Sequence, residues 1–216
     1  MPWVVRRGEG WRCAGVSRLG HYFPSCQVVS RQDLGWLLVS DWLTPMRADD
    51  AAAYVARGVR VEMVCTGNIC RSPMGEVILR AMLDEAGLTH VAVGSSGTGG
   101  WHVGDGADPR TIAVLWRHGY DGSAHRASQF DAGEFGAMDL VLAADRGHVR
   151  DLRRAARRPE DAKKVRLLRE FDAGAVAAGT LEVDDPWYGG AADFERCLRE
   201  VEAACRGLVD HLRGSA

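Results

Sequence analysis

Apolar positions along this chain follow two alternating rhythms. Residues 59–64 form a short, valine-rich apolar run of the kind that fills a strand buried on both faces of a parallel sheet. A polar loop from Cys65 to Arg71 interrupts it, and from Ser72 the apolar residues recur at helical spacing. Val77, Ile78, Ala81, Met82 and Leu83 make one stripe, with Ser72 expected at the N-cap, Pro73 at the first helical position and Gly87 as the stop. The alternation then repeats. Residues 90–93 read as a second strand leading into a glycine-rich loop over 94–100, and 109–118 as a helix ended by Gly119. Residues 138–143 form a third strand, 145–156 a helix and 164–168 a fourth strand. Residues 184–190 are a loop, and 191–212 a long closing helix. Strands alternating with helices predict an α/β fold, a parallel sheet covered on both faces. Ligands of such folds bind at the carboxyl ends of strands, near a topological switch point, and Cys65 sits at one such end.

Residues 1–57 have no clear period. They carry four of the seven tryptophans (Trp3, Trp11, Trp36, Trp42) and seven arginines against five acidic residues, whereas the remainder is acidic. We expect an N-terminal extension, with a disordered arm or a mis-assigned start as alternatives. Met46 is an internal initiation candidate ahead of a helix-like run over 48–57. The aromatic content argues against simple disorder.

Composition narrows the function classes. A chain of 216 residues has ample length for a core, and a net charge of −2 with pI near 6.4 gives no case for nucleic acid. The six cysteines lack metal-ligand spacing, and the start lacks the apolar run of a secretory signal. The most apolar nearby stretch, 34–43, is too short to span a bilayer. A cytoplasmic protein with reduced thiols, no membrane partner and no metal is expected.

The chemistry is concentrated between Cys65 and Ser72. A thiolate is the useful nucleophile, and successive loop N–H groups plus the following helix N-terminus favour both a thiolate and a phosphate. Arg71 offers a planar fork for two phosphate oxygens. The Ser72 hydroxyl can donate to the sulfur and steady it as a leaving group. Gly67 permits a tight turn, and Asn68 can pin loop carbonyls or adopt a left-handed conformation. Thr66, Ile69 and Cys70 complete the loop. Cys70 is either a small packing residue or a reversible disulfide partner that shields Cys65. Of two adjacent acids, Asp185 and Asp184, spacing to Pro186 favours Asp185 as the proton donor to a leaving group.

The motif VCTGNICRSPMGE (64–76) resembles the signature loop of the low-molecular-weight protein tyrosine phosphatases. SSGTGGWHVG (95–104), HRASQ (125–129), MDLVLAAD (138–145) and DPWYGG (185–190) resemble further segments of that family in the same order. The similarity spans about 59–216, so we assign 58–216 as the phosphatase domain. It implies a three-layer sandwich with a four-stranded parallel sheet, no cofactor or metal, and a phosphocysteine intermediate. Asp185 matches the family's acid. Trp187 and Tyr188, with Trp101 opposite, are expected to sandwich the substrate's phenyl ring, and His125 to orient the loop by a hydrogen bond. His102 and His148 are expected on the surface, and the arginine pairs 153–154 and 157–158 on a solvated helix face. An arginine common in the family's version of the His125 segment is Ser128 here.

The expected activity is hydrolysis of phosphotyrosine in proteins, by a monomer or weak dimer. Two relatives of the reaction compete. Phosphoarginine hydrolysis is disfavoured by the resemblance, because the family's arginine phosphatase branch carries a threonine at the loop position of Ile69, and the bulkier apolar Ile69 and the Trp187–Tyr188 pair fit the tyrosine-directed members. Arsenate reduction needs a thiol relay, and between Arg71 and Arg196 the chain has no cysteine.

Overall fold

In the computed structural model the described residues are 58–214, with the backbone of two short segments ahead of them. Those segments, β1 (Val4–Arg6) and β2 (Trp11–Cys13), pair antiparallel with Val5 opposite Arg12. The expectations for Met46 and the run over 48–57 fall outside the described residues. The chain divides into two units after residue 52, and the second of them holds a parallel sheet.

This sheet has four strands, β3 (Val59–Cys65), β4 (Val91–Gly97), β5 (Leu140–Ala143) and β6 (Val165–Leu167), in the order β4-β3-β5-β6 and all parallel. The first strand of this unit is therefore central. The chain moves to one side of it and then to the other, which puts the switch point at the end of β3, at Cys65. The expected α/β architecture is present.

Side chains of β3 alternate between two cores. Val61, Met63 and Cys65 join a large cluster with Met74, Ile78, Leu198 and Leu208 on one face. Val64 joins Phe135, Val141, Leu152 and Val165 on the other. On the first face lie α1 (Arg71–Ala86) and the long α6 (Ala191–Gly214), in contact with each other. Leu152 brings α3 (Arg146–Ala155) to the second face. Helix α2 (Pro109–Arg117) packs on α6, while α4 (Pro159–Lys163) and α5 (Ala173–Ala178) are short. Neither short helix was predicted, since one or two turns carry too little periodicity.

Three local expectations need correction. The second strand does not stop at Val93 but continues through Gly97, with Gly94, Ser95, Ser96 and Gly97 in register with Glu62, Met63, Val64 and Cys65. Small residues suit this stretch because the neighbours are close. A Cβ on Gly94 would lie 2.6 Å from Glu62 Oε2, and one on Gly97 2.6 Å from the Thr66 carbonyl oxygen. Ser72 is not the N-cap of α1. The helix begins at Arg71 with Cys70 in the capping position and no side-chain cap. Of the expected stripe Ala81 is exposed, while Ile78 and Leu83 are buried, together with Met74 and Leu79. Gly87 does end it, in the left-handed conformation at φ 70°. No described helix is long and apolar enough to cross a membrane.

Candidate active site

The loop after β3 is held from outside by its carbonyl groups. The oxygens of Cys65 and Thr66 accept from Thr98 N–H and Gly99 N–H at 2.8 and 2.9 Å, and that of Ile69 from Asp108 N–H at 2.8 Å. The Asn68 carbonyl accepts from His125 Nε2 at 2.8 Å, as expected of His125, whose Nδ1 lies 3.5 Å from Glu76 Oε2. Four carbonyls of this stretch are thus tied to the segments around it. Among the described residues Asn68 is the non-glycine residue with positive φ, 55°. Its fully buried amide donates to Ser72 Oγ and Ser95 Oγ and accepts from Ser128 N–H. It therefore pins side chains and the neighbouring 125–129 segment rather than loop carbonyls.

Cys65 Sγ lies 3.0 Å from Ser72 Oγ, which also faces the Ser96 carbonyl at 3.2 Å. The Ser72 hydrogen thus has two destinations: the sulfur when Cys65 is a thiolate, the Ser96 carbonyl when it is a thiol. Cys70 is also buried and free, and burial pushes its thiol up to about 12, which keeps it protonated.

The Arg71 guanidinium, 5% exposed, is spread over four acceptors. Nη1 donates to Asp145 Oδ2 at 2.9 Å and to the Val183 carbonyl at 3.2 Å. Nη2 donates to Asp185 Oδ2 at 2.8 Å and to Thr66 Oγ1 at 3.2 Å. Burial alone would push the Asp145 carboxyl up, but its contacts with His148 and the charge of Arg71 outweigh that and hold it well below the usual carboxylate range. The other carboxylate oxygen of Asp185 accepts from Trp187 N–H at 3.2 Å, capping the turn Pro186–Tyr188. Asp184 points away, 75% exposed and 4.0 Å from Arg196.

A cleft of about 150 Å³ results. Its floor is Cys65, Thr66, Gly67, Ile69, Cys70 and Arg71, and its sides are Trp101, His102, Asp185, Trp187 and Tyr188. Of the residues expected here, Asn68 and Ser72 are the exceptions, since both stand behind the loop and support it. His102 is not a bystander, because its ring lies 6.1 Å from that of Trp187 and borders the cleft. His148 is not on the surface either. It is 4% exposed, with Nε2 2.9 Å from Thr66 Oγ1. The arginine pairs are partly bonded, Arg153 to the Val165 carbonyl and Arg158 to Asp161.

Arg110 was not anticipated. It forks onto Asp108, whose N–H holds the Ile69 carbonyl, and donates to the carbonyls of Trp187 and Gly189 at 3.1 and 3.3 Å. Its guanidinium also lies 5.5 Å from the Trp187 ring centre. It ties the aromatic turn to the loop. An acidic residue two positions beyond the third strand, Asp145, was the readable sign of a second partner for Arg71, because parallel strand ends share one edge. Among the described residues no cluster suits a metal ion.

Residues 60–215 match the family described as low molecular weight phosphotyrosine protein phosphatase. The low molecular weight protein-tyrosine-phosphatase of Streptomyces coelicolor is 58% identical over 155 residues, covering 71% of this chain and 93% of that one. A protein tyrosine phosphatase of Entamoeba histolytica, solved with Hepes in its active site, superimposes with a TM-score of 0.67 at 29% identity, covering 72% of this chain and 97% of that one. Wzb of Vibrio vulnificus in complex with benzylphosphonate gives 0.61 at 26% identity, covering 71% and 98%.

Proposed function

The chain belongs to the low molecular weight phosphotyrosine protein phosphatase family, and on that premise we propose that it hydrolyses phosphotyrosine in proteins through a phosphocysteine on Cys65. The observation that carries this reading is the convergence of the Cys65 sulfur, the Arg71 fork and the Asp185 carboxyl on one cleft. A phosphonate held by the Vibrio vulnificus relative agrees with an oxyanion in the loop.

In the first step the Cys65 thiolate attacks phosphorus. The S–P bond forms as the P–O bond to the phenol breaks, and Asp185 gives its proton to the departing oxygen. The Ser72 hydrogen turns to the sulfur before and after this step, when it carries charge. Phosphate oxygens take the place of Asp185 Oδ2 at Arg71 Nη2, which frees the carboxyl to act over the leaving group. In the second step the Asp185 carboxylate takes a proton from water, the water oxygen bonds phosphorus, and the S–P bond breaks to return the thiolate and release phosphate. Developing charge on the equatorial oxygens meets the loop N–H groups and Arg71. Trp101, Trp187 and Tyr188 flank the ring.

We further assign 58–216 as the catalytic domain and 1–57 as an appended segment, and place the protein in the cytoplasm. Turnover of para-nitrophenyl phosphate without added metal tests the reading. Cys65→Ser is expected to lower it by at least about 10⁴-fold while inorganic phosphate still binds. Retention of most activity by that variant overturns the mechanism. Faster turnover of phosphoarginine than phosphotyrosine peptides overturns the substrate.

A further inference from the structure

Building on the phosphatase reading, we propose that His148 is a positioning residue for the phosphate loop, acting through the hydroxyl of Thr66. His148 lies in the first turn of α3, and it is buried although most of its own helix is exposed and rich in arginine. Its ring meets polar atoms at both nitrogens. Nε2 is 2.9 Å from Thr66 Oγ1, and Nδ1 is 3.0 Å from Asp145 Oδ2, a close contact that is bent away from a straight hydrogen bond. Arg71 closes the circuit, since Nη2 reaches Thr66 Oγ1 at 3.2 Å and Nη1 reaches Asp145 Oδ2 at 2.9 Å.

Part of this circuit is fixed by chemistry. A guanidinium only donates, so Thr66 Oγ1 accepts from Arg71. The Thr66 oxygen keeps its hydrogen and a second lone pair for His148 Nε2, so that hydrogen bond can run in either direction. A carboxylate has no hydrogen to give, so a ring proton on Nδ1 suits the contact with Asp145 Oδ2. Asp145 is kept in place for this by accepting the His148 backbone N–H at 2.9 Å on its other oxygen. Either way the ring links the Thr66 hydroxyl to the Asp145 carboxylate.

Thr66 is exposed in the cleft, next to Cys65, and no other described side chain fixes its hydroxyl except Arg71 itself. His148 thus sets the Thr66 rotamer, and the Thr66 oxygen helps aim Arg71 Nη2 at the place where a phosphate oxygen is bound. A histidine that merely filled space would make neither contact, and an apolar residue of similar size would replace it.

Two conservative variants separate the contacts. His148→Asn keeps a polar group beside Asp145 but is too short to reach Thr66, whereas the longer His148→Gln places an amide oxygen within its reach. His148→Asn is expected to raise KM for para-nitrophenyl phosphate and weaken inhibition by inorganic phosphate about tenfold, the worth of one net hydrogen bond near charge, with a smaller change in kcat. His148→Gln should recover most of that loss. In a Thr66→Val background His148→Asn should have no further effect on phosphate inhibition. The proposal is overturned by any of three results: phosphate inhibition of His148→Asn within twofold of the parent, His148→Gln no better than His148→Asn, or the full loss persisting in the Thr66→Val background. Melting temperatures of all four proteins separate loss of fold from loss of aim. If the parent itself fails to hydrolyse para-nitrophenyl phosphate, the phosphatase reading fails, and calorimetric binding of inorganic phosphate to the same variants still decides the role of His148.

Discussion

The loop from Cys65 to Arg71 and the turn from Asp184 to Gly190 border one cleft, yet they are held very differently. In the loop the Asn68 side chain is fully buried and makes three hydrogen bonds, Arg71 makes four, and carbonyl after carbonyl is tied to a neighbouring segment. In the turn Tyr188 is 92% exposed, Trp187 is 39% exposed, and the anchors are Asp185 on Arg71 and Arg110 on two carbonyls. On the proposed mechanism, a floor that presents several N–H groups to one oxyanion gains from rigidity, because a displacement of a fraction of an ångström weakens all of them together. On the same mechanism, a side wall that admits an aromatic ring, and an acid that moves between Arg71 and a leaving group, gain from fewer attachments.

Within the turn, the largest expected effect tests the residue that bonds Arg71. Asp185→Asn should slow hydrolysis of substrates with poor leaving groups by about 10²–10⁴-fold, with a smaller effect on para-nitrophenyl phosphate. Asp184→Asn should stay within about twofold, as a solvated substitution does. Steady-state kinetics on the two variants, if they came out reversed, would exchange the roles of the two acids. The floor should respond in stability as well as in rate. Asn68→Ala strands two serine hydroxyls and the Ser128 N–H and forces alanine to φ 55°, so urea denaturation should show a loss of about 2–3 kcal/mol. A loss below about 0.5 kcal/mol, within the scatter of surface changes, would mean the loop is not braced as described.

A pH dependence sharpens the contrast from beneath the floor. Burial, and then the charges of Glu134 and Glu76, push the Glu62 carboxyl up to about 7 against a downward pull from Ser96. An unfolded glutamate titrates near 4.5, so between there and about 7 the folded protein holds a proton that the unfolded chain has released. Stability from this group is full below that window and is lost as pH rises through it. The urea midpoint of the parent should therefore fall from pH 5 to pH 8 by more than that of Glu62→Gln, and equal falls would place Glu62 in contact with water. The smallest effect belongs to the exposed wall. Tyr188→Ala should leave the melting temperature unchanged and raise KM for a phosphotyrosine peptide about two- to tenfold, the worth of one aromatic contact. A marked loss of stability would show that the ring packs on the fold.

The features that could be read in the sequence are those whose cause is local. The run ending at Cys65, the five residues after it and the helix beyond them lie within 28 residues, and each follows from neighbours in the chain. The four strands were legible for the same reason, although short apolar runs blurred their ends. Local patterns could not reach the carboxylate partners of Arg71, which come from 74 and 114 residues away, or the histidine partner of Thr66, 82 residues away. His148 and Arg110 are polar residues on helices with solvated faces, and nothing in their immediate surroundings separates them from their exposed neighbours. The continuation of β4 through Gly94 and Gly97 was hidden because its glycines answer to Glu62 and Thr66 on another part of the chain, and a single stretch of sequence does not display that crowding.

The alternation of β3 also makes the placement of the Cys65 sulfur a matter of counting. Cys65 shares its face with Val61 and Met63, and that parity sets its sulfur beside Ser72 rather than on the side of Phe135. One codon gained or lost within 59–64 would keep the strand apolar and the motif from Cys65 to Arg71 intact in text. The ladder would then have to choose between turning its valines to the wrong cores and turning the sulfur to the wrong side. Recognition of the motif alone would still name such a protein an enzyme, and it would have no reaction to perform.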